Sequence, residues 1–425
     1  MGILSTYQNA YRLLSHEVRM YLFSSALVGI SYFGITAVLL NLYLLRLGYG
    51  PEFIGAVNGS TAVAFAVSSL PSGALGARLG IRKMMLLGIG CLAAGVLFLP
   101  LAELLPGGWQ AGGIVVTRLF GGLGFALYMV NANPFMTAAT SPEERDHAFS
   151  MQVAMMPLAG FIGSLAGGVM PAFFASMLGV SLEHVAPYRY PLIIAGVFVI
   201  AAVAAVMTTE DVEVEDLRRY PGTVAAPAPW TLIVILCIVA LFRMSGESAA
   251  RSFFNVYLDD GLGVATATIG ILMATSQIFS GSAALSTPLL VKRLGRTKSV
   301  ALGTGGIASG LLVMALIPHW IFAGLGFIWA ITMLSVTREV VNVYQMEIVP
   351  PGWRATVSGA TSMAMGTGYS SMAFGGGYLI TSFGYQGTFL TGAILTTISA
   401  SVFWIYFRKP RGEYARQPSV DIPPI

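Results

Sequence analysis

Charge is what this chain has least of. Lys, Arg, Asp and Glu make up 10% of its 425 residues, against about 25% in an average soluble domain. The length would allow two or three soluble domains, but so few charges leave them almost no wettable surface. Cysteine is nearly missing too. Cys91 and Cys237 fall inside apolar stretches, which excludes a disulfide framework and leaves them as small packing residues. The four histidines, His16, His147, His184 and His319, sit in loops or at the edges of apolar stretches, so none is placed to carry a proton through the middle of one. Metal-ligand clusters, nucleophile motifs and phosphate loops are also lacking. Gly121-Gly122-Leu123-Gly124 and Gly375-Gly376-Gly377 lie within apolar stretches and read as helix-packing glycines. No enzyme chemistry, metal or cofactor is expected. The net charge of +4 does not point to nucleic acid, because the basic residues gather at the ends of apolar stretches.

What the chain has in abundance is apolar surface, 56% of residues, and 50 glycines. Small residues let helices approach closely in lipid, so both features read as an integral membrane protein. A helix needs about 20 apolar residues to cross the hydrocarbon core. Twelve such spans can be drawn: 20–46, 53–75, 84–105, 112–133, 150–178, 189–208, 230–258, 265–291, 299–318, 320–344, 356–381 and 385–407. The tight turns near Pro318-His319 and Phe383-Gly384 are the least marked boundaries. The first span is too long for a cleaved signal peptide and is read as retained.

The acidic run Glu210-Asp211-Val212-Glu213-Val214-Glu215-Asp216, with Pro221, Pro227 and Pro229, reads as a linker over 209–229. It divides an N-terminal half (20–208) from a C-terminal half (230–407), flanked by segments 1–19 and 408–425. Basic residues are lopsided. Arg12, Arg19, Arg78, Arg82, Lys83, Arg145, Arg218, Arg219, Lys292, Arg293, Arg296, Lys298, Arg354, Arg408, Lys409, Arg411 and Arg416 fall on the side of the N-terminus, and only Arg46 and Arg189 on the other. The bias predicts that both termini are cytoplasmic, and the plasma membrane of a prokaryote is the expected location.

The two halves repeat each other. Asn41-Leu42-Tyr43 returns as Asn255-Val256-Tyr257, and Ile54-Gly55 as Ile269-Gly270. Arg78-Leu79-Gly80-Ile81-Arg82-Lys83 returns as Arg293-Leu294-Gly295-Arg296-Thr297-Lys298. At an offset of 209, Arg145 matches Arg354 and Gly167-Gly168 matches Gly376-Gly377. Homologous membrane halves with polar sites at their interface are the architecture of a secondary transporter.

The segment Gly73 to Lys83, between the second and third spans, resembles the signature loop of the major facilitator superfamily, Gly-x-Leu-Ala-Asp-Arg-x-Gly-Arg-Lys. A degenerate copy runs from Pro288 to Lys298. Arg118-x3-Gly122-x-Gly124-x-Ala126 is similar to the arginine motif of the family's proton-coupled members, and Gly163-Ser164-x-x-Gly167-Gly168 to the Gly-Pro-x-x-Gly-Gly motif of its drug exporters. The resemblance implies an all-α membrane fold of twelve helices in two pseudo-symmetric six-helix halves. It also implies a gating loop set of Gly73, Arg78, Gly80, Arg82, Lys83, Arg145, Arg293, Gly295 and Arg354, and a coupling role for Arg118. The chain departs from the family at Ala77, where the signature loop carries Asp, and at Ser164, where the exporter motif carries Pro.

Six charged residues fall inside spans, away from the span ends: Arg118, Arg243, Glu247, Arg251, Arg338 and Glu339. Each costs about 2.5–3.5 kcal/mol at mid-membrane on insertion scales, so each calls for a reason. Arg243, Glu247 and Arg251 follow i, i+4, i+8 spacing and share one face of the seventh span. They either neutralise one another as a structural staple or face a central cavity. In the second case Glu247 is the first candidate proton carrier, Glu339 the second, and Arg243 and Arg251 bind solute. Arg338 and Glu339, near the end of the tenth span, read as a gate salt bridge or packing pair. Tyr32, Asn41, Tyr128, Asn131, Asn255, Gln277 and Tyr369 complete the expected binding set, with Asn58 and Gln152 as further polar groups and Met155, Met156, Met363 and Met365 as a pliable wall.

An excess of arginine leans toward an anionic or zwitterionic solute, since a guanidinium fork suits carboxylate and phosphate. The expected partners are therefore a small-molecule substrate, protons and membrane lipid, for a monomeric carrier. A multidrug exporter, a lipid translocase and a non-transporting receptor remain alternatives.

Overall fold

The computed structural model describes residues 14–141, 144–211, 229–350 and 353–408. Most of the expected linker, including Glu213, Glu215, Asp216, Pro221 and Pro227, lies outside the described residues. So do Arg12, Arg218, Arg219, Lys409, Arg411 and Arg416.

Helices account for nearly all of what is described. They are α1 (His16–Arg46), α2 (Pro51–Leu79), α3 (Ile81–Leu97), α4 (Gly107–Ala139), α5 (Arg145–Leu178), α6 (Ala186–Met207), α7 (Trp230–Gly261), α8 (Thr266–Leu294), α9 (Arg296–Leu316) and α10 (Trp320–Ile348). The last helical stretch, Arg354–Phe407, is broken at Gly384, where φ is 71° and ψ 177°, conformations open to glycine and strained for L side chains. It is therefore two helices, α11 (354–383) and α12 (385–407), and the total is twelve among the described residues. Ten stretches, with α11 and α12 taken as one, are long and apolar enough to span a bilayer, and α3, 17 residues long, is not among them. Each expected span overlaps one of these helices, but the third, 84–105, runs past the end of α3 at Leu97 into a short 3-10 helix, Pro100–Leu104.

The sequence repeat is visible in the backbone. Gly80 and Gly295 carry φ of 101° and 76° at the α2–α3 and α8–α9 turns, where a side chain at Cβ would resist the left-handed bend. Arg145 donates to the carbonyls of Thr137 and Thr140 at the end of α4, and Arg354 donates to the carbonyl of Val349 at the end of α10. Both arginines cap a helix whose last carbonyls lack partners. Arg82 donates to Met207 O at 2.8 Å and pairs with Asp211, tying the signature loop to the end of α6. Arg296 and Glu347 form an ion pair at the matching end of the other half.

The helices alternate in direction, so one face of the bundle holds the start of α1 and the end of α12; it is called here the terminal face. On the opposite, far face the halves meet. Asn41 donates to Asn255 Oδ1 and Ser252 O, both at 2.9 Å, and Asn255 donates to Val38 O at 2.9 Å. The repeated asparagines thus bond each other across the pseudo-twofold axis. Arg46 holds Asp259 through two bonds of 2.7 and 3.0 Å and lies over the Tyr188 ring. Glu52 meets Thr381, and Gly168 of α5 packs on Gly270 of α8 so closely that a Cβ on either would collide with backbone.

Toward the terminal face the polar side chains of α4 and α10 are open. Asn133, Arg338, Glu339 and Asn342 are all exposed. Such groups are costly in lipid, so they mark water between the halves on this side.

Candidate functional site

Three turns of α7 supply the charged centre. Glu247 is 5% exposed, and its Oε1 accepts from Arg251 Nε at 2.8 Å, the i+4 contact its spacing predicts. The same oxygen accepts from Arg338 Nη2 of α10 at 3.2 Å. Oε2 has no protein partner. Arg243, one turn away, is 3% exposed. Its Nη2 touches only Met365 Sδ of α11 at 3.8 Å, a soft and weak acceptor, and its Nε and Nη1 have no acceptor. Ser245 and Ser248 donate to Gly368 O and Tyr369 O, at 3.2 and 2.7 Å. These bonds lock α7 to α11 and fix the height of the charged row.

The other half offers rings instead of charges. Tyr32 and Phe33 lie in a π-helical stretch of α1 (Gly29–Thr36), a widened turn that recurs at functional sites. Tyr32 stacks on Phe125 of α4 with centroids 5.3 Å apart, and Phe33 stands edge-on to both rings. Phe65 of α2 leans on Phe125 at 5.7 Å. Arg118, about two turns before Phe125 on α4, sits over the Tyr32 ring at 5.7 Å. It is 4% exposed, and its Nε and Nη1 have no acceptor. The rings face the charged row. Ser252, next to Arg251, reaches the Tyr369 hydroxyl at 3.5 Å, and Gln277 of α8 reaches the Phe33 carbonyl at 3.4 Å.

All of these side chains sit near the middle of their helices, the depth at which transporters place their sites. Arg251 and Arg338 contact the one carboxylate, Arg243 lies a turn away on the same helix, and Arg118 stands over Tyr32 in the other half, so positive charge is in excess at this depth. A guanidinium buried without an oxygen partner pays a desolvation cost with nothing set against it. Chemically, the arrangement can hold an oxyanion between the halves, and it can exchange the partners of Glu247.

The expected residues divide accordingly. Arg243, Glu247 and Arg251 come together with Met365 and Tyr369 of α11, and Arg118 comes together with Tyr32 on the other half, where Gln277 reaches the Phe33 carbonyl. Asn41 and Asn255 do not join them. Their amides bridge the halves on the far face, where Asn58 also donates to Asn41 Oδ1 at 3.0 Å. Tyr128 is wholly buried against Tyr21 in the core of the N-terminal half. Asn131 is turned into its own helix, donating to Leu127 O at 2.8 Å beside Gly76 of α2. Gln152 bonds Tyr21 and Asn133 nearer the terminal face. Glu339 is exposed on α10, and the ion pairs of the cluster do not include it. Arg338, expected with Glu339 in a gate salt bridge or a packing role, pairs with Glu247, while Glu339, the next residue, points about 100° away around the helix. Phe33, Phe65 and Phe125 carried no sequence signal beyond apolarity.

Comparison with known proteins identifies the family and the fold. A family model described as the Major Facilitator Superfamily matches residues 21–244 and 236–422. Among solved structures, a mutant of the nucleoside transporter NupG superposes with a TM-score of 0.71 at 16% identity, covering 92% of this chain and 100% of that one. A bacterial homologue of the human lysosomal transporter Spinster, inward-facing and unoccupied, gives 0.69 at 14% identity over 95% and 97%. The xylose transporter XylE from E. coli, in an inward open conformation, gives 0.68 at 15% identity over 98% of both chains. Identities this low speak for the fold alone. Among curated proteins, none matches the sequence.

Proposed function

The chain belongs to the Major Facilitator Superfamily, a family of transporters rather than enzymes, and from that premise we propose that it carries a small anionic or zwitterionic organic solute, coupled to protons through Glu247. The observation that carries this reading is the pair Arg118 and Arg243. They stand on opposite halves at mid-height, both buried, each with two nitrogens that no protein oxygen meets. A solute carboxylate or phosphate would supply those oxygens through the fork geometry of guanidinium.

Access alternates by rocking one half on the other. The far face is held by Arg46–Asp259 and the asparagine pair, and the terminal side is parted. With the termini in the cytoplasm, as the basic bias indicates, this is an inward-facing state of a monomeric carrier in a prokaryotic plasma membrane.

Glu247 supplies the coupling. While ionised it occupies Arg251 and Arg338. Once protonated it releases both, and they join the set that holds the solute anion. Anion and proton therefore travel together, and loss of the proton on the inner side restores the internal pairs and expels the solute. Glu339 and the helix-capping Arg145 and Arg354 act in gating rather than in this exchange.

A thermal-shift screen of purified protein tests the reading. Organic anions should stabilise the wild type and lose that effect in Arg243→Ala. Stabilisation only by lipophilic cations, indifferent to Arg243, would contradict it and point to a multidrug exporter.

A further inference from the structure

The four rings opposite the charged row have no role in binding charge, and packing alone does not account for their position. Tyr21, Tyr128 and Phe135, the packing aromatics of the same half, are between 0 and 1% exposed. Tyr32, Phe33, Phe65 and Phe125 all keep part of their surface open. The wall borders the other half: the Phe33 carbonyl is bonded by Gln277 of α8, and Ala66, next to Phe65, packs on Gly366 of α11. The rings come from three helices, yet their centroids lie 5.3 to 5.7 Å apart in stacked and edge-on contacts. They form one aromatic wall, with the unpartnered Arg118 guanidinium at its edge over Tyr32.

Resting on the anion-carrier reading above, we infer that the solute is an aromatic anion: its planar ring lies on the Tyr32–Phe125 wall while its oxyanion meets Arg118 and Arg243. Flat rings in offset or edge-on contact with aromatic side chains gain about 0.5–1.5 kcal/mol beyond the area they bury. A saturated ring of the same size gains the burial and not the stacking. The wall therefore discriminates planar from puckered acids, and the arginines discriminate acids from amines. Because the wall belongs to the N-terminal half and Glu247 to the C-terminal half, such a solute touches both halves at once, which is what a rocking carrier needs from its cargo.

The test is binding to the purified full chain in detergent, measured by calorimetry, with benzoate, 2-naphthoate, cyclohexanecarboxylate and benzylamine as probes. Benzoate is expected to bind about three- to tenfold more tightly than cyclohexanecarboxylate, and 2-naphthoate at least as tightly as benzoate. Phe125→Leu should remove the planar preference while both acids still bind, and Arg118→Gln should weaken both acids together. Tyr32→Leu serves as the second wall variant should Phe125→Leu fail to fold. Equal binding of planar and saturated acids by the wild type would overturn the aromatic assignment and leave the anion carrier standing. Binding of benzylamine without the acids, or of none of the probes, would overturn both.

Discussion

A charged side chain in this bundle takes its meaning from the oxygen it meets. Glu247 and Arg251 were legible in the sequence, because i, i+4 spacing forces their contact. Arg338 was not, since its partner lies 91 positions away on another helix and only folding brings them together. Polar residues in spans were the hardest to sort. Asn41, Asn255 and Asn131 look the same in sequence as a solute ligand would, yet each is satisfied by backbone or by the other amide. Two predictions separate the classes. Arg243→Gln, which removes charge-assisted hydrogen bonds worth about 1.5–3 kcal/mol, should weaken anion binding by about tenfold or more in calorimetry. Tyr128→Phe, buried away from the site, should leave binding within about twofold of wild type on the same instrument, as expected of a side chain that touches no solute.

At the scale of the helix, length and apolarity were enough to find every span, and the glycine at 384 marked the break between α11 and α12. The π-helical stretch of α1 was not legible, because its residues suit an α-helix equally well, and the extra residue per turn is imposed by packing against α5. Close helix contact at glycine gives the element-scale prediction. Gly168 and Gly270 let α5 and α8 touch across the halves, and a Cβ on Gly270 would stand 2.5 Å from Gly168 Cα. Gly270→Leu should therefore hold the far face open. The readout is thiol labelling of Ser252→Cys, a position 1% exposed within the seam, with Cys91 and Cys237 replaced by serine. The rate should rise by about tenfold, equivalent to a shift of about 1.4 kcal/mol between the two states. An unchanged rate would mean that this contact does not limit opening.

Over the whole molecule, the internal repeat announced two six-helix halves, and the turn glycines and helix-capping arginines recur in both. Which face is closed could not be read from sequence, because it depends on the small free-energy difference between two packings of the same surfaces. Arg46–Asp259 is the strongest tie on the closed face, with side-chain exposures of 13% and 9%. Asp259→Asn should shift the population toward far-face opening, and the charge-swapped pair Arg46→Asp with Asp259→Arg should recover part of the closure, both followed by the same labelling rate.

The central claim is that a solute anion and a proton move together because Glu247 shares its arginines with the solute. The direct measurement is uptake of labelled benzoate into proteoliposomes under an imposed pH gradient, wild type beside Glu247→Gln, with exchange at equal pH run in parallel. The account predicts uphill accumulation by the wild type, and exchange without accumulation by the variant. Accumulation by Glu247→Gln under the same gradient would contradict it.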